Sequence, residues 1–152
     1  MTTTRTAWLS WAVEPTDRHR PITILATVGL FAGVLTAFLG LPPVDLHGPL
    51  HHLGLMDPFC GGTRAAYYTL RGQGGQAWRY NPLGLVAVLA ASVAVARAAA
   101  GLATRRWVNL TLTWSPGWRR AIVVAVLIAA AVLEVRQQMI APLLMAPVLM
   151  AR

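Results

Sequence analysis

The sequence predicts an all-α integral membrane protein of one domain, residues 1–152, with three transmembrane helices and a short amphipathic surface helix in the first connection. Hydrophobic residues make up 56% of the chain and charged residues 12%, against about 25% charged residues in an average soluble domain. Arginines and tryptophans flank three apolar stretches, as they flank membrane-spanning helices. Because the membrane accounts for the net charge of +8, we expect membrane lipids as partners and no nucleic acid.

The first predicted span runs from Ile22 to Leu41 and contains no charged residue. A helix of this length covers about 30 Å, the hydrocarbon thickness of a bilayer. Proline precedes the stretch and follows it, which is typical of helix ends. Within the span, Gly29 and Gly33 have the spacing that lets two membrane helices pack closely. These two glycines are therefore candidate partner contacts.

The second predicted span covers about residues 83–100, and Asn81 with Pro82 forms its start signal. Arg97 lies near the far end, where its long side chain can reach the lipid headgroups. The third span is less regular, because its apolar centre from Ala121 to Leu133 gives a helix of only about 20 Å. We extend it to about residues 118–139. The apolar tail beyond it contains two prolines, and we expect that tail at the membrane interface.

The third span brings two ionisable residues to the membrane border. Glu134 and Arg136 are two residues apart, so they point to different faces of a helix and cannot pair along it. Ionisable groups at membrane depth mark functional positions by default. We consider both residues candidate contacts with a partner subunit, with catalysis as the alternative.

The distribution of arginine predicts the orientation of the chain. The N-terminal arm and the second connection contain eight arginines, counting Arg97, whereas the first connection and the tail contain five. Positively charged residues accumulate in cytoplasmic loops. We therefore expect a multi-pass protein of the bacterial inner membrane with a cytoplasmic N-terminus.

The first connection, residues 42–81, contains the only cysteine of the chain in the segment "DPFCGGTRAAYYTLRG". Residues 61–72 predict a short helix with Thr63 as its N-cap and Gly72 as its stop. Ala66, Tyr67 and Leu70 share one helical face, with Arg64 beside it. This pattern predicts an amphipathic helix lying at the membrane surface.

At these residues the chain resembles a family of small bacterial membrane proteins of unknown function. The family signature is roughly CP-x-CG-x-TR-A, followed by a glycine and then an NPL that opens the next span. The matching residues here are Asp57 to Ala65, then Gly72, then Asn81-Pro82-Leu83, and the resemblance covers about residues 20–140. It implies a polytopic membrane fold and no assigned activity. Asp57 stands where the family has its first cysteine, so this chain cannot run a two-cysteine redox cycle.

The signature leaves three chemistries open. Cys60 precedes a helix start, where a thiol pKa falls and reactivity rises, or it is a small residue packed under the loop. Gly61, Gly62, Thr63 and Arg64 can form a cradle for an anion such as a lipid phosphate, or they only begin the helix. Possible metal ligands also occur here: His47, His51, His52, Asp57 and Cys60. We read these as loop residues and expect neither a metal nor a cofactor.

No catalytic constellation is visible, and the five acidic residues are scattered along the chain. We therefore expect a non-catalytic accessory subunit that packs against other membrane protein subunits in a larger complex, with a respiratory oxidase assembly as the first guess. The alternative is a protein that binds an anionic lipid headgroup at Gly61-Gly62-Thr63-Arg64.

Overall fold

The structure, a computed structural model, describes residues 5–6, 9–41 and 54–146. These residues are mostly helical and include a small antiparallel sheet. The elements in chain order are β1 (Arg5–Thr6), β2 (Leu9–Glu14), α1 (Arg20–Leu39), α2 (Gly62–Leu70), α3 (Gly74–Tyr80), α4 (Pro82–Thr104), β3 (Trp107–Leu112), α5 (Pro116–Met139) and α6 (Ala141–Met145).

The three long helices correspond to the three predicted apolar spans, with shifted ends. Helix α1 stops at Leu39 because Gly40 takes a positive φ of 93°, a conformation that ends helices. Helix α4 begins as predicted, since the side-chain oxygen of Asn81 accepts a hydrogen bond from the Leu83 N–H at 2.8 Å. That helix continues four residues beyond the predicted end, to Thr104.

Two helices in the described residues, α1 and α4, are long and apolar enough to cross a membrane by length and composition. Helix α5 is as continuous as predicted, from Pro116 to Met139. Its ends, however, carry arginines, a glutamate and two glutamines, which lower its hydropathy. The structure thus supports a mostly helical protein with two candidate membrane helices.

The three-stranded sheet is an element that the sequence interpretation missed. Strand β2 pairs antiparallel with both β1 and β3, and the β2–β3 register places Trp11 opposite Leu110 and Val13 opposite Val108. The interpretation treated the N-terminal arm as a polar tether. Apolar and polar residues nevertheless alternate in "LSWAVE" and "WVNLTL", which is the signal of a half-exposed strand.

The chain divides into two compact units, of which unit 1 comprises Met1–Leu30 and Ala90–Ala125. It contains the sheet and all eight arginines counted above for the N-terminal arm and second connection. Two side chains contact carbonyls of β3: Arg97 of α4 donates to the carbonyl of Val108, and Nε2 of His19, just before α1, lies 2.9 Å from the carbonyl oxygen of Leu110. These contacts occupy an edge that would otherwise be open to pairing with another strand.

Unit 2 comprises Phe31–Leu89 and Val126–Arg152 and has a small apolar core. The core residues are Met56, Cys60, Ala65, Tyr68, Ala77, Tyr80 and Leu144. Leu144 belongs to α6 and is 1% exposed, so this part of the tail packs into the core of unit 2, which the sequence analysis did not predict. Pro142 stands in the first turn of α6, where proline is compatible with a helix.

Helix α2 also differs from the predicted surface helix. Its buried residues are Arg64, Ala65 and Tyr68, whereas the predicted apolar face, Ala66, Tyr67 and Leu70, is only half-buried. The helix is therefore part of the core of unit 2 rather than an element lying on its surface. Its predicted stop is confirmed: Gly72 has φ 73°, Gly72 N–H donates to Thr69 O, and Gln73 N–H donates to Tyr68 O. This is the Schellman pattern.

Candidate functional site

The signature residues begin with a tight turn from Asp57 to Gly62. The Cys60 N–H donates to Asp57 O at 3.1 Å, and the Gly62 N–H donates to Phe59 O at 2.9 Å. The exposed Asp57 carboxylate accepts a bond from the Phe59 N–H at 2.7 Å. Aspartate at this position thus closes the turn through its own side chain.

Cys60 points into the core of unit 2 and is 4% exposed. Its Sγ lies 3.5 Å from Sδ of Met56. A reactive cysteine needs a thiolate that a reagent or substrate can reach. Of the two interpretations of Cys60, this geometry matches a small residue packed under the loop. A reagent or substrate cannot reach the thiol in this conformation.

Two buried side-chain amides converge on the carbonyl oxygen of Cys60. Asn81 Nδ2 donates to it at 2.9 Å and also to Pro58 O at 3.0 Å. Gln137 Nε2 donates to it at 3.0 Å and to Tyr80 O at 3.1 Å. Both side chains are fully buried. The amides provide the hydrogen bonds that these buried carbonyl oxygens require. They also join the turn to the start of α4 and to the end of α5.

Two glycines permit the close packing of this turn. Gly61 has φ 77°, and a Cβ on it would lie 2.8 Å from Leu144 Cδ2 and 3.1 Å from Tyr80 O. A Cβ on Gly84 would lie 2.8 Å from both Ala65 Cβ and Gly62 O. Gly61 therefore meets both a conformational and a steric need, whereas Gly84 lets α4 approach the first turn of α2.

The predicted cap of α2 is wrong. Thr63 is exposed inside the first turn, and the N-cap position is occupied by Gly61, which makes no side-chain cap bond. The helix starts two residues earlier than an N-cap at Thr63 requires, because the left-handed conformation of Gly61 turns the chain directly into it.

Arg64 is the feature that bears most on the anion cradle. Its side chain is directed into unit 2, and the residue is 7% exposed. Nη1 donates to Leu143 O at 3.2 Å, Nη2 donates to Ala146 O at 2.8 Å, and the guanidinium lies 5.6 Å from the centroid of the Tyr80 ring. An anion at the Gly-Gly-Thr-Arg turn would have to compete with these carbonyls for the guanidinium. The cradle interpretation therefore lacks its cation in this arrangement.

Arg64 is one of three arginines in unit 2 that bond to carbonyls at the ends of helices. Arg136 Nη2 donates to Trp78 O at 2.8 Å and Arg79 O at 3.1 Å, at the end of α3. Arg71 Nη1 lies 3.5 Å from Ala37 O, in the last turn of α1, and 2.7 Å from the Tyr67 hydroxyl. Helix C-termini have unpaired carbonyls and a negative dipole end, both of which favour such cations.

The four residues proposed as partner contacts divide into two pairs. Gly33 and Arg136 are used within unit 2, since a Cβ on Gly33 would lie 2.9 Å from Leu70 Cδ1 and Arg136 holds the end of α3. Gly29 has no atom within 4 Å of an added Cβ, and Glu134 is exposed. Within the described part of the chain, Gly29 and Glu134 thus lie on surface that is accessible to a partner.

Unit 1 contains a second polar cluster, centred on an ion pair between Arg97 and Asp17 at 2.8 Å. Asn109, 1% exposed, accepts a bond from Arg97 through Oδ1 and donates to Glu14 Oε2 at 2.7 Å. Burial raises the pKa of Asp17, but hydrogen bonds from Arg97, Thr23 and His19 outweigh burial and hold that pKa at about 2. Arg97 therefore does not extend to the headgroups as expected; it joins the helices to the sheet.

Metal binding has little support in the part of the chain that the structure describes. Within residues 5–6, 9–41 and 54–146, no group of three or more His, Cys, Asp or Glu side chains could hold a metal ion. The candidates His47, His51 and His52 lie outside these residues. Asp57 is exposed and Cys60 is buried, so the two do not share one environment.

Sequence reasoning missed Gln137, Gly84 and Asn109. Gln137 lies between apolar and charged residues near the end of a helix, and nothing in its neighbourhood distinguishes it from the exposed Gln138. Gly84 follows the NPL of the signature directly, and a glycine inside a helix pattern signals close packing. Asn109 is one of the polar residues that alternate with apolar ones in β3. The alternation does not show that this polar side chain is buried.

Comparison with known proteins agrees with the absence of an assigned activity. A family model described as "Protein of unknown function (DUF2752)" matches residues 49–95, a segment that contains the Cys60 turn, helices α2 and α3 and the first part of α4. No curated protein matches the chain, and no solved structure matches it. The segment that carries the Cys60 turn and Asn81 is thus similar to a family that has no known function.

Proposed function

We propose that the chain is a non-catalytic, multi-pass protein of the bacterial inner membrane that acts as an accessory subunit of a larger membrane complex. The observation that carries the proposal is the exposure of α1: none of the residues Arg20–Leu39, all of them described, is buried. Helix α5 buries only Gln137, and α4 buries only Ala98 and Gly101. Helices of multi-pass proteins associate through close packing of small residues. A helix with no fully buried residue and with a glycine, Gly29, on its open surface is suited to packing against another subunit.

The third crossing belongs to this proposal. Helix α5 has 24 residues, which gives a length of about 36 Å, and its charged residues are confined to its two ends. Unit 1 contains eight arginines against two carboxylates, a net charge of +6, while unit 2 contains five arginines against three carboxylates, a net charge of +2. Because positive charge accumulates on the cytoplasmic side, we place the N-terminus in the cytoplasm.

The polar residues of the signature support a structural role rather than catalysis. In the described residues, every buried side-chain nitrogen or oxygen has a hydrogen-bond partner. The side chains of Asn81, Gln137 and Arg64 donate hydrogen bonds to backbone carbonyls of unit 2. Asn81 and Arg64 of the signature, together with Gln137, thus stabilise the fold of unit 2, and the helix surfaces remain available to a partner.

The experiment is purification of the full-length chain from its own membrane in a mild detergent, followed by mass spectrometry. We expect a stoichiometric membrane partner, with subunits of a respiratory oxidase assembly as the first to look for. Gly29→Leu should remove that partner without unfolding the chain, because nothing lies within 4 Å of the new side chain. Thr27→Leu, exposed on the opposite side of α1, is the matched control and should retain it. A monomer with no partner in the parent chain would refute the accessory role.

A further inference from the structure

The sheet of unit 1 has an apolar face that is open. Because side chains alternate along a strand and paired residues share a face, the register places six apolar residues on one side: Leu9, Trp11, Val13, Val108, Leu110 and Leu112. All but Leu9 are at least 40% exposed. The other face carries Asn109, which is buried, and Trp107, whose ring packs on Gly101. The sheet thus turns one face to the rest of unit 1 and leaves the apolar face uncovered.

An apolar groove continues from this face. It has a volume of about 450 Å³ and is lined by Leu112, Thr113, Trp114, Trp118 and Ile122. Leu112 belongs to both the sheet face and the groove. Tryptophan is the residue most often found where hydrocarbon meets the headgroup region of a membrane, and two tryptophans line this groove.

Unit 1 also carries charge of the sign that anionic lipids attract. Its two carboxylates are both engaged, Glu14 with Arg18 at 2.9 Å and Asp17 with Arg97. Four further arginines are exposed near the ends of the apolar surface: Arg105, Arg106, Arg119 and Arg120. The last two directly follow Trp118, which lines the groove. Basic residues beside an apolar surface bind a negatively charged leaflet.

We propose that the apolar sheet face and the tryptophan groove of unit 1 lie in the interfacial layer of the membrane, on a leaflet that contains anionic phospholipid. The occupant is lipid rather than a protein partner, because the face lies in the same unit as the start of a candidate membrane helix and as four exposed arginines. The first turns of α1, in the same unit, expose Ile22, Ile24 and Leu25, and α1 is one of the two candidate membrane helices. Arg97 and His19 hold β3 against these helix ends, so the sheet is at the level where a membrane helix leaves the hydrocarbon.

The test is site-specific fluorescence of the full-length chain in vesicles of phosphatidylglycerol and phosphatidylcholine. An environment-sensitive probe is attached to Val108→Cys or Leu110→Cys on the apolar face, and to Thr111→Cys on the other face as the matched control. Cys60 stays in place because it is buried, and the parent chain reports its background labelling. A nitroxide-bearing lipid then quenches probes that contact the acyl chains.

We expect a blue-shifted emission and severalfold stronger quenching at positions 108 and 110 than at position 111. Equal quenching on the two faces would overturn the proposal. A blue shift at 108 and 110 without lipid quenching would overturn it as well, because it would show that protein covers the face.

A separate measurement tests whether the exposed arginines attract anionic lipid. The double variant Arg119→Gln/Arg120→Gln should weaken the quenching at position 110 when the nitroxide is carried by phosphatidylglycerol, and should leave quenching by labelled phosphatidylcholine nearly unchanged. The same loss for both lipids would contradict a specific preference for anionic headgroups. Size-exclusion profiles of each labelled chain establish that the substitutions, all at exposed positions, leave the protein folded.

Discussion

The side-chain amide of Gln137 donates a hydrogen bond to the carbonyl oxygen of Cys60 at 3.0 Å, across 77 positions of sequence. Asn81 donates to the same oxygen. The only cysteine of the chain thus contributes to the structure through its backbone as well as through its buried side chain. This relationship makes unit 2 a network of turn, helix start and helix end, and the first two predictions test it.

Replacing Gln137 with leucine should destabilise the protein. The change gives an apolar side chain of similar size, and it removes the amide that donates to Tyr80 O and to Cys60 O. A buried polar group that loses its partner costs about 1–3 kcal/mol. Thermal unfolding of the purified chain in detergent measures the effect. Glu134→Gln, exposed on the same helix, is the control, and we expect no measurable change from it.

Replacing the neighbouring glycines Gly61 and Gly62 with alanine should change the stability of the protein in opposite directions. Gly61→Ala places a Cβ at a positive φ and against Tyr80 O, which we expect to cost about 2 kcal/mol, since the left-handed conformation alone costs about 1–2 kcal/mol in other residues. Gly62→Ala adds a Cβ with no atom within 4 Å, at the start of α2, where alanine is the better helix former by up to about 1 kcal/mol. Melting temperatures of the two variants should bracket that of the parent. If both variants melt alike, the turn does not have the described conformation.

Cys60 should react slowly with thiol reagents in the folded protein and quickly after denaturation. The reason is burial, because a maleimide needs contact with the thiolate and Cys60 is 4% exposed. Asp57→Cys in a Cys60→Ala chain provides the comparison, since Asp57 is exposed in the same turn. Mass spectrometry after timed labelling measures both rates. Comparable rates at the two positions in the folded state would restore the reactive-thiol hypothesis.

The Asp17–Arg97 ion pair should contribute stability at neutral pH and lose it only in strong acid. The pKa of Asp17 is held at about 2 in the folded chain, against 3.8 for an ordinary aspartate. A group whose folded pKa is lowered stabilises the protein above its unfolded pKa and loses this contribution as the pH falls towards its folded pKa. Asp17→Asn should therefore melt below the parent at pH 7, and the difference should shrink from about pH 4 towards pH 2.

A variant of Arg97, which forms the ion pair with Asp17, tests whether this ion pair is the source of the stability. In an Arg97→Gln chain, Asp17→Asn should destabilise the protein less than it does in the parent, because the carboxylate has lost its ion-pair partner and keeps only the bonds from Thr23 and His19. A pH-independent difference between Asp17→Asn and the parent, or an unchanged effect in the Arg97→Gln chain, would show that the ion pair is not the source of the stability.

Local signals determined the features that were predicted well. The long apolar stretches predict helices because their length and composition suffice, and Asn81 and Gly72 predict a helix start and a helix stop because caps act within a few residues. Thr63 shows how such a signal fails: the residue type suits an N-cap, but Gly61, two residues earlier, takes the position. The sheet was missed because its strands are nearly 100 residues apart in the chain and each is short.

By itself, the sequence determined that this chain is apolar, basic and mostly helical, because hydropathy and capping are properties of neighbouring residues. It predicted three membrane helices, of which two are long and apolar enough to cross a membrane. Only the tertiary structure decided what the polar residues do. Arg64 turns to the carbonyls at the end of α6, Gln137 to the carbonyl of Cys60, and Arg97 to Asp17, since a buried donor binds whatever acceptor the fold brings within about 3 Å of it. That distance is set by packing between distant segments, which no local pattern contains.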